Sequence, residues 1–210
     1  RELGQKEAFS PLRVKNIPDP IVYQQFEEAG TDLGQLINKK KNIASMKSLD
    51  SNLDKALGRL SGGLYVVTAS QGEGSTFRQS AMVASWVSQA SFSPPGLSIA
   101  VAKDRSVESL LQVGDSFALN ILSEKDFKEP LKRFTKPFAP GENRFEGINI
   151  ELTPNEQIII PEALAWLDAS VKERMECGDH WVIYAEVLHG NILKSDSLTA
   201  VHHRKTGANY

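Results

Sequence analysis

Apolar and polar positions alternate most regularly over residues 165–177, where Leu167, Ala169, Val171 and Met175 are interleaved with Asp168, Ser170, Lys172, Arg174 and Glu176. A period of two predicts a half-buried strand. Gly178-Asp179 turns it, and His180 to Leu188 runs back as the second strand of a hairpin, which Asn191 to Leu193 can continue. Leu64 to Ala69 is β-branched and aromatic, and Leu97, Ile99 and Val101 alternate with small residues; both stretches read as strands. In Ser116 to Leu122, Phe117, Leu119 and Ile121 share one face and Asn120 lies on the other.

Helical spacing is confined to short stretches. Leu49, Leu53, Leu57 and Leu60 fall on one face behind a Ser51 cap, with Asp54 in the first turn and Gly62-Gly63 as the stop. Val107, Leu110 and Leu111 make a second short helix ending at Gly114. Ser123, with Asp126 at its third position, caps a third helix carrying Phe127, Leu131 and Phe134, which Pro130 restarts or bends. Lys136 to Glu142 reads as a loop and Arg144 to Ile148 as its anchored end. About six strands with small helices between them, and no βαβ rhythm, predict a mainly β fold: a closed or partly closed barrel.

Residues 1–48 differ in kind. Pro11, Pro18 and Pro20 punctuate them, and the loose spacing of Ile21, Val22, Phe26, Leu33, Leu36 and Ile37 allows one or two short helices but no core, so the stretch reads as a linker. With 210 residues, 40% of them hydrophobic, the chain can bury one substantial core and a short extra segment. Its 24 basic and 26 acidic residues supply no concentrated basic face, which argues against nucleic acid or an anionic membrane as partner. Lys39 to Lys41 is read as a solvated linker. No apolar run approaches the roughly 18 residues of a membrane span. The first nine residues lack an apolar signal core, so a cytoplasmic location is expected, and a start at Arg1 reads as a fragment of a longer chain. The single cysteine, Cys177, excludes an internal disulfide and is read as a packed thiol. His189, His202 and His203 form no ligand pattern with carboxylates, so they are read as structural or exposed and no metal is expected.

Candidate chemistry concentrates in Ser80 to Pro95, SAMVASWVSQASFSPP, and the strand after it. Small side chains there let a flat ligand approach the backbone. Hydroxyls and amides offer hydrogen bonds, and Lys103 at the strand end offers a charge for a phosphate. Gly72 to Thr76 (GEGST) has neither the lysine of a phosphate loop nor the third glycine of a dinucleotide fingerprint, and is expected to be a hairpin turn.

That stretch, followed by a strand and Lys103, resembles the flavin reductase family, which folds as an FMN-binding split β-barrel. Residues 49–210 resemble the flavin reductase module of cyanobacterial-type flavodiiron proteins. Cys177 to Trp181 (CGDHW) and Ala200 to Tyr210 (AVHHRKTGANY) strengthen the likeness, and Glu27 to Gln35 resembles the end of the flavodoxin-like module before it. The resemblance implies FMN bound by Ser80, Ala81, Met82, Val83, Ser85, Gln89, Ala90 and Ser91, with Lys103 and Ser106 completing the phosphate site. Ser80 and Val83 depart from the asparagine and threonine often found there in other relatives. It implies that His180 orients the nicotinamide of NADH or NADPH, and that Phe145 and Tyr210 are candidates to stack on a ring. It also implies a homodimer and electron transfer to flavodoxin-like and diiron modules of the same polypeptide, which reduce dioxygen to water. The alternatives are a non-catalytic flavin-binding module and a dimerisation module.

Overall fold

The computed structural model describes residues 52–207 apart from 75, 76, 137 and 139–141, together with Val14, Ile17, Val22, Tyr23, Phe26, Ala29, Gly30 and Leu33. The last six of these are helical, in line with the spacing read there, and Ala29 is buried. The elements in order are α1 (Asn52–Leu57), β1 (Gly62–Gly63), β2 (Tyr65–Gln71), β3 (Arg78–Ala84), β4 (Val87–Phe92) and β5 (Pro95–Ala102). A 3-10 helix (Ser106–Leu110) leads to β6 (Ser116–Leu122), α2 (Lys128–Thr135), β7 (Glu151–Leu152) and β8 (Ile158–Ile159). The long hairpin β9 (Ala163–Cys177) and β10 (His180–Ile192) precedes β11 (Val201–His202).

Seven strands form one antiparallel sheet in the order β3-β2-β6-β9-β10-β5-β4. This is one strand more than the pattern suggests, because the central stretch divides at Ser85-Trp86 into two strands that do not pair with each other. β3 pairs with β2, whereas β4 turns away and pairs with β5. The ends of the sheet are therefore consecutive in sequence but separated in space, and β3 comes against β5 as the sheet curls.

The expected alternation holds at the core, but not along the whole of β9: Met175 is 59% exposed and Asp168 is fully buried, and the pairing of β9 with β10 shifts register twice. Val67, Met82, Ile99, Val101, Phe117, Leu119, Val171 and Ile183 line one face, closed by Val107 and Leu110 of the 3-10 helix. Each such side chain contributes about 1.5–3 kcal/mol by leaving water. Leu64, Val66, Ala81 and Leu122 on the other face are covered by Phe134 of α2, by Phe145 and by the β8 segment. That segment is stitched down by side chains acting as strand partners. Gln157 accepts from Ser70 N (2.8 Å) and donates to Ser70 O (3.2 Å), while Asn120 donates to Ile158 O (3.2 Å) and accepts from Ile160 N (3.0 Å).

Two local expectations change. Helix α1 ends at Leu57, before Gly62-Gly63, and these glycines form β1 and pair with Val201 and His202. Helix α2 starts after Phe127, which puts Pro130 in its first turn, where a proline removes no helical hydrogen bond. Ser123 Oγ accepts from Lys125 N (3.1 Å) in the turn before it instead of capping the helix.

Candidate functional site

Because β3 pairs with β2 alone, its outer edge faces the second half of β5. Ser85-Trp86 closes the corner, with Trp86 O accepting from Ala100 N (3.0 Å). Between these strands lies a cavity of about 460 Å³, within the range of ligand sites. Met82, Val83 and Ser85 form one wall and Ala100, Ala102 and Arg105 the opposite one. Leu131, Phe134 and Thr135 of α2, with Leu64 and His202, complete it. β1 runs so close to the corner that a Cβ on Gly62 would overlap the Ser85 carbonyl oxygen. Ser85 is only 4% exposed, and its hydroxyl has no hydrogen-bond partner. Nδ1 of His202 is likewise buried without a partner. Burial, followed by the charges of Arg204 and His203, holds the His202 imidazole below the usual histidine range.

Beyond Arg105, Ser106 Oγ lies 3.0 Å from Ser80 Oγ, and Arg144 Nη2 donates to Ser106 Oγ at 2.8 Å. Around the corner, His180 starts β10 opposite Ala102. Its ring is 5.0 Å from that of Trp86, and the Arg204 guanidinium lies 5.0 Å from the same indole. His180 Nδ1 is 2.8 Å from Asp179 Oδ1, which orients the imidazole; that hydrogen bond is the main reason the Asp179 carboxyl lies below its ordinary range.

The structure thus gathers Met82, Val83 and Ser85, joins Ser80 to Ser106 at the adjoining end, and sets His180 beside the corner. Ala81 packs in the second core cluster. Gln89 lines a different cavity of about 290 Å³ with Tyr65 and Leu119, and Ala90 is an exposed residue of β4. Ser91 Oγ donates to Pro94 O (2.6 Å) and lies 3.2 Å from Tyr184 Oη. These three lie apart because β4 follows β5 away from β3. Lys103 also points elsewhere: its ammonium pairs with Glu176 and lies 5.2 Å from the Trp181 ring. Phe145 is buried against Phe134 (5.7 Å between rings) and is not a wall of the cavity. Tyr210 is outside the described residues. Pattern reading missed Arg105, His202 and the α2 residues. Only Ala100 and Ala102 carried a local signal, since they alternate with the inward Ile99 and Val101.

A family model described as the flavin reductase like domain matches residues 57–208. The chain belongs to this family. It is 53% identical over its whole length to "Putative diflavin flavoprotein A 3" of Nostoc sp. and 51% identical to "Diflavin flavoprotein A 1" of Synechocystis sp.. It spans 36% of each of those proteins, so they are much longer. Among solved structures, a putative oxidoreductase of Sinorhizobium meliloti aligns with a TM-score of 0.61 and 30% identity, covering 71% of this chain and 49% of that one. The NADH:FAD oxidoreductase of Streptomyces globisporus shares the fold, with a TM-score of 0.62 and 23% identity, covering 74% and 87%. In this flavin reductase-like domain the cavity suits a flavin: apolar side chains on its walls admit a flat ring, a strand edge offers backbone groups, and the Ser85 hydroxyl, which no protein group meets, can bond a polar atom of a ligand. Among the described residues, no group of three potential ligands could hold a metal ion.

Proposed function

We propose that this module is an NAD(P)H:flavin oxidoreductase that holds FMN in the cavity between β3 and β5. The observation that carries the reading is the buried, unpartnered hydroxyl of Ser85 in the wall of an otherwise largely apolar cavity, one residue from the Trp86–His180 contact. When bound, the flavin supplies a two-electron acceptor for hydride from NADH or NADPH and can release electrons singly or in pairs. The chain's part is geometric. Met82, Val83, Ala100 and Ala102 exclude water from the ring, and the backbone near Ala81, Met82 and Val83 meets its polar edge. Ser85 hydrogen-bonds to it, and His180, braced by Asp179 and Trp86, orients the nicotinamide. No acid or base is needed for hydride transfer between two rings held face to face.

In this reading residues 49–210 are the reductase module, and residues 1–48 link it to a flavodoxin-like module of a longer, cytoplasmic polypeptide. Electrons pass to that module and then to a diiron module reducing dioxygen to water. The greater length of the relatives supports the presence of further modules, and the word diflavin in their names supports a second flavin. The module acts as a homodimer.

An anaerobic spectrum of the chain with FMN, followed through separate additions of NADH and NADPH, tests the reading. Bleaching of the visible band of bound flavin is expected, faster with one donor. Flavin that binds but does not bleach would identify a non-catalytic binding module, and a chain that binds no flavin would leave only the dimerisation reading.

A further inference from the structure

We infer that Arg204, held against Trp86 by the C-terminal tail, is the seat for the pyrophosphate of the nicotinamide dinucleotide, so that the chain recognises the dinucleotide and not its nicotinamide ring alone. The inference rests on the reductase reading above and concerns the mouth of the cavity at the Ser85-Trp86 corner. Arg204 lies two residues after His202, a wall residue of the cavity, and its guanidinium is 5.0 Å from the Trp86 ring. The His180 ring is also 5.0 Å from that of Trp86. The guanidinium and the imidazole can therefore be no farther apart than twice that distance. In a nicotinamide dinucleotide one ribose separates the nicotinamide ring from the pyrophosphate, a spacing of the same order. A nicotinamide held by His180 thus leaves its pyrophosphate within reach of Arg204.

Charge balance sets Arg204 apart from the other cations on this side of the cavity. Among the described residues its partners are the Trp86 ring and the Leu57 carbonyl oxygen, which accepts from Nη2 at 3.3 Å, and no carboxylate pairs with it. A guanidinium carries several further N–H donors, and these are open to a ligand. Lys103, by contrast, is engaged by Glu176, and Arg105 Nε lies 3.7 Å from Asp104. Asp179, the carboxylate on this side, is hydrogen-bonded to His180 at 2.8 Å. Arg204 is also held in place before any ligand arrives. On one side of it β11 pairs with β1, and on the other Gly207 N donates to Asp54 O at 2.7 Å, so little ordering is left for binding to cost. His203 and Lys205, its exposed neighbours in the chain, extend the positive surface, which draws in an anion. The planar fork of a guanidinium matches phosphate oxygens, and stacking on an indole leaves the edge of that fork available.

Two hydride donors distinguish this seat from a purely structural role: the dinucleotide (NADH or NADPH, whichever bleaches the flavin faster) and N-benzyldihydronicotinamide, which has the same ring and no phosphate. Either donor gives up a hydride to bound FMN and becomes the oxidised nicotinamide, while solvent supplies the proton of the reduced flavin. In the FMN-loaded parent chain, added salt should raise KM for the dinucleotide and leave that for the benzyl compound unchanged. Arg204→Gln should raise KM for the dinucleotide about tenfold or more, with kcat within about twofold. The same variant should weaken calorimetric binding of the oxidised dinucleotide by a like factor and leave the benzyl compound unaffected. Arg204→Lys, which keeps the charge and loses the fork, should fall between the two. Equal effects of Arg204→Gln on both donors would reduce Arg204 to a brace for the tail, and no effect on the dinucleotide would remove it altogether; either overturns the inference. A salt-independent KM for the dinucleotide in the parent chain would overturn it even if the variants failed to fold. A parent chain that binds no FMN, or whose FMN neither donor reduces, would instead overturn the reductase reading, and the seat with it.

Discussion

At His202 the neighbours of one residue decide what its side chain can do. Pattern reading treats it as one of three structural or exposed histidines, but pairing of β11 with β1 places it in the cavity wall, with Nδ1 buried and unpartnered. Its pKa is depressed, first by burial and then by Arg204 and His203. The folded state therefore favours the neutral ring, while the unfolded chain takes up a proton near the ordinary value of 6.5. The contribution to stability is complete above that pH and is lost as pH falls through the folded pKa. Urea unfolding should show stability falling more steeply between about pH 7 and pH 5 in the parent chain than in His202→Asn. Parallel curves would show that the imidazole plays no such part. The carboxyls of Asp179 and Glu176, held low chiefly by hydrogen bonds to His180 and Lys103, lose their contribution at lower pH and do so in both chains.

Among the elements, the corner between β3 and β4 does most to make the site. β3 and β4 could have continued as one strand or folded back as a hairpin. Instead the chain changes partner at Ser85-Trp86, and the gap left between β3 and β5 is the cavity. β1 locks that corner through close backbone approach, which only a residue without a side chain permits at Gly62. Farther along, the tail packs on α1: Gly207 N donates to Asp54 O (2.7 Å), Arg204 Nη2 to Leu57 O (3.3 Å), and Gly58 abuts the backbone of Thr206. The tail thereby holds Arg204 over Trp86. Gly62→Ala should cost about 1–3 kcal/mol, as overpacking does, read as a lower urea midpoint. It should also weaken flavin binding, because relief of the overlap must move Ser85. A variant that binds flavin like the parent chain would show that the corner tolerates displacement.

For the whole molecule, the open order of the sheet leaves β4 as an edge strand with its outer side unpaired among the described residues. Edge strands template association unless they are blunted. Here Phe92, 87% exposed at the end of β4, adds apolar surface instead of a charge. Sedimentation should return twice the chain mass at micromolar concentration, and Phe92→Lys should shift the boundary towards the monomer. A parent chain that sediments as a monomer would remove the homodimer from the proposal. The fold itself depends on distant pairing, since β9 and β10 sit between β6 and β5, strands from the middle of the chain.

Strand positions and their inward faces were legible in the residues, because alternation is local: Leu97, Ile99 and Val101 had to be buried together, as did Phe117 and Leu119. The likeness of the stretch from Ser80 to Ser91 to a known family was also legible, and a model of that family matches residues 57–208. The residues alone could not divide that stretch between two strands with different partners. That division sends Gln89, Ala90 and Ser91 away from Met82 and Ser85. Nor could they show that Lys103 is taken up by Glu176 while Arg144, almost forty residues later, reaches Ser106. Such choices depend on which distant charge or strand edge arrives first at bonding distance, and only the tertiary structure, through register and chain crossing, decides them.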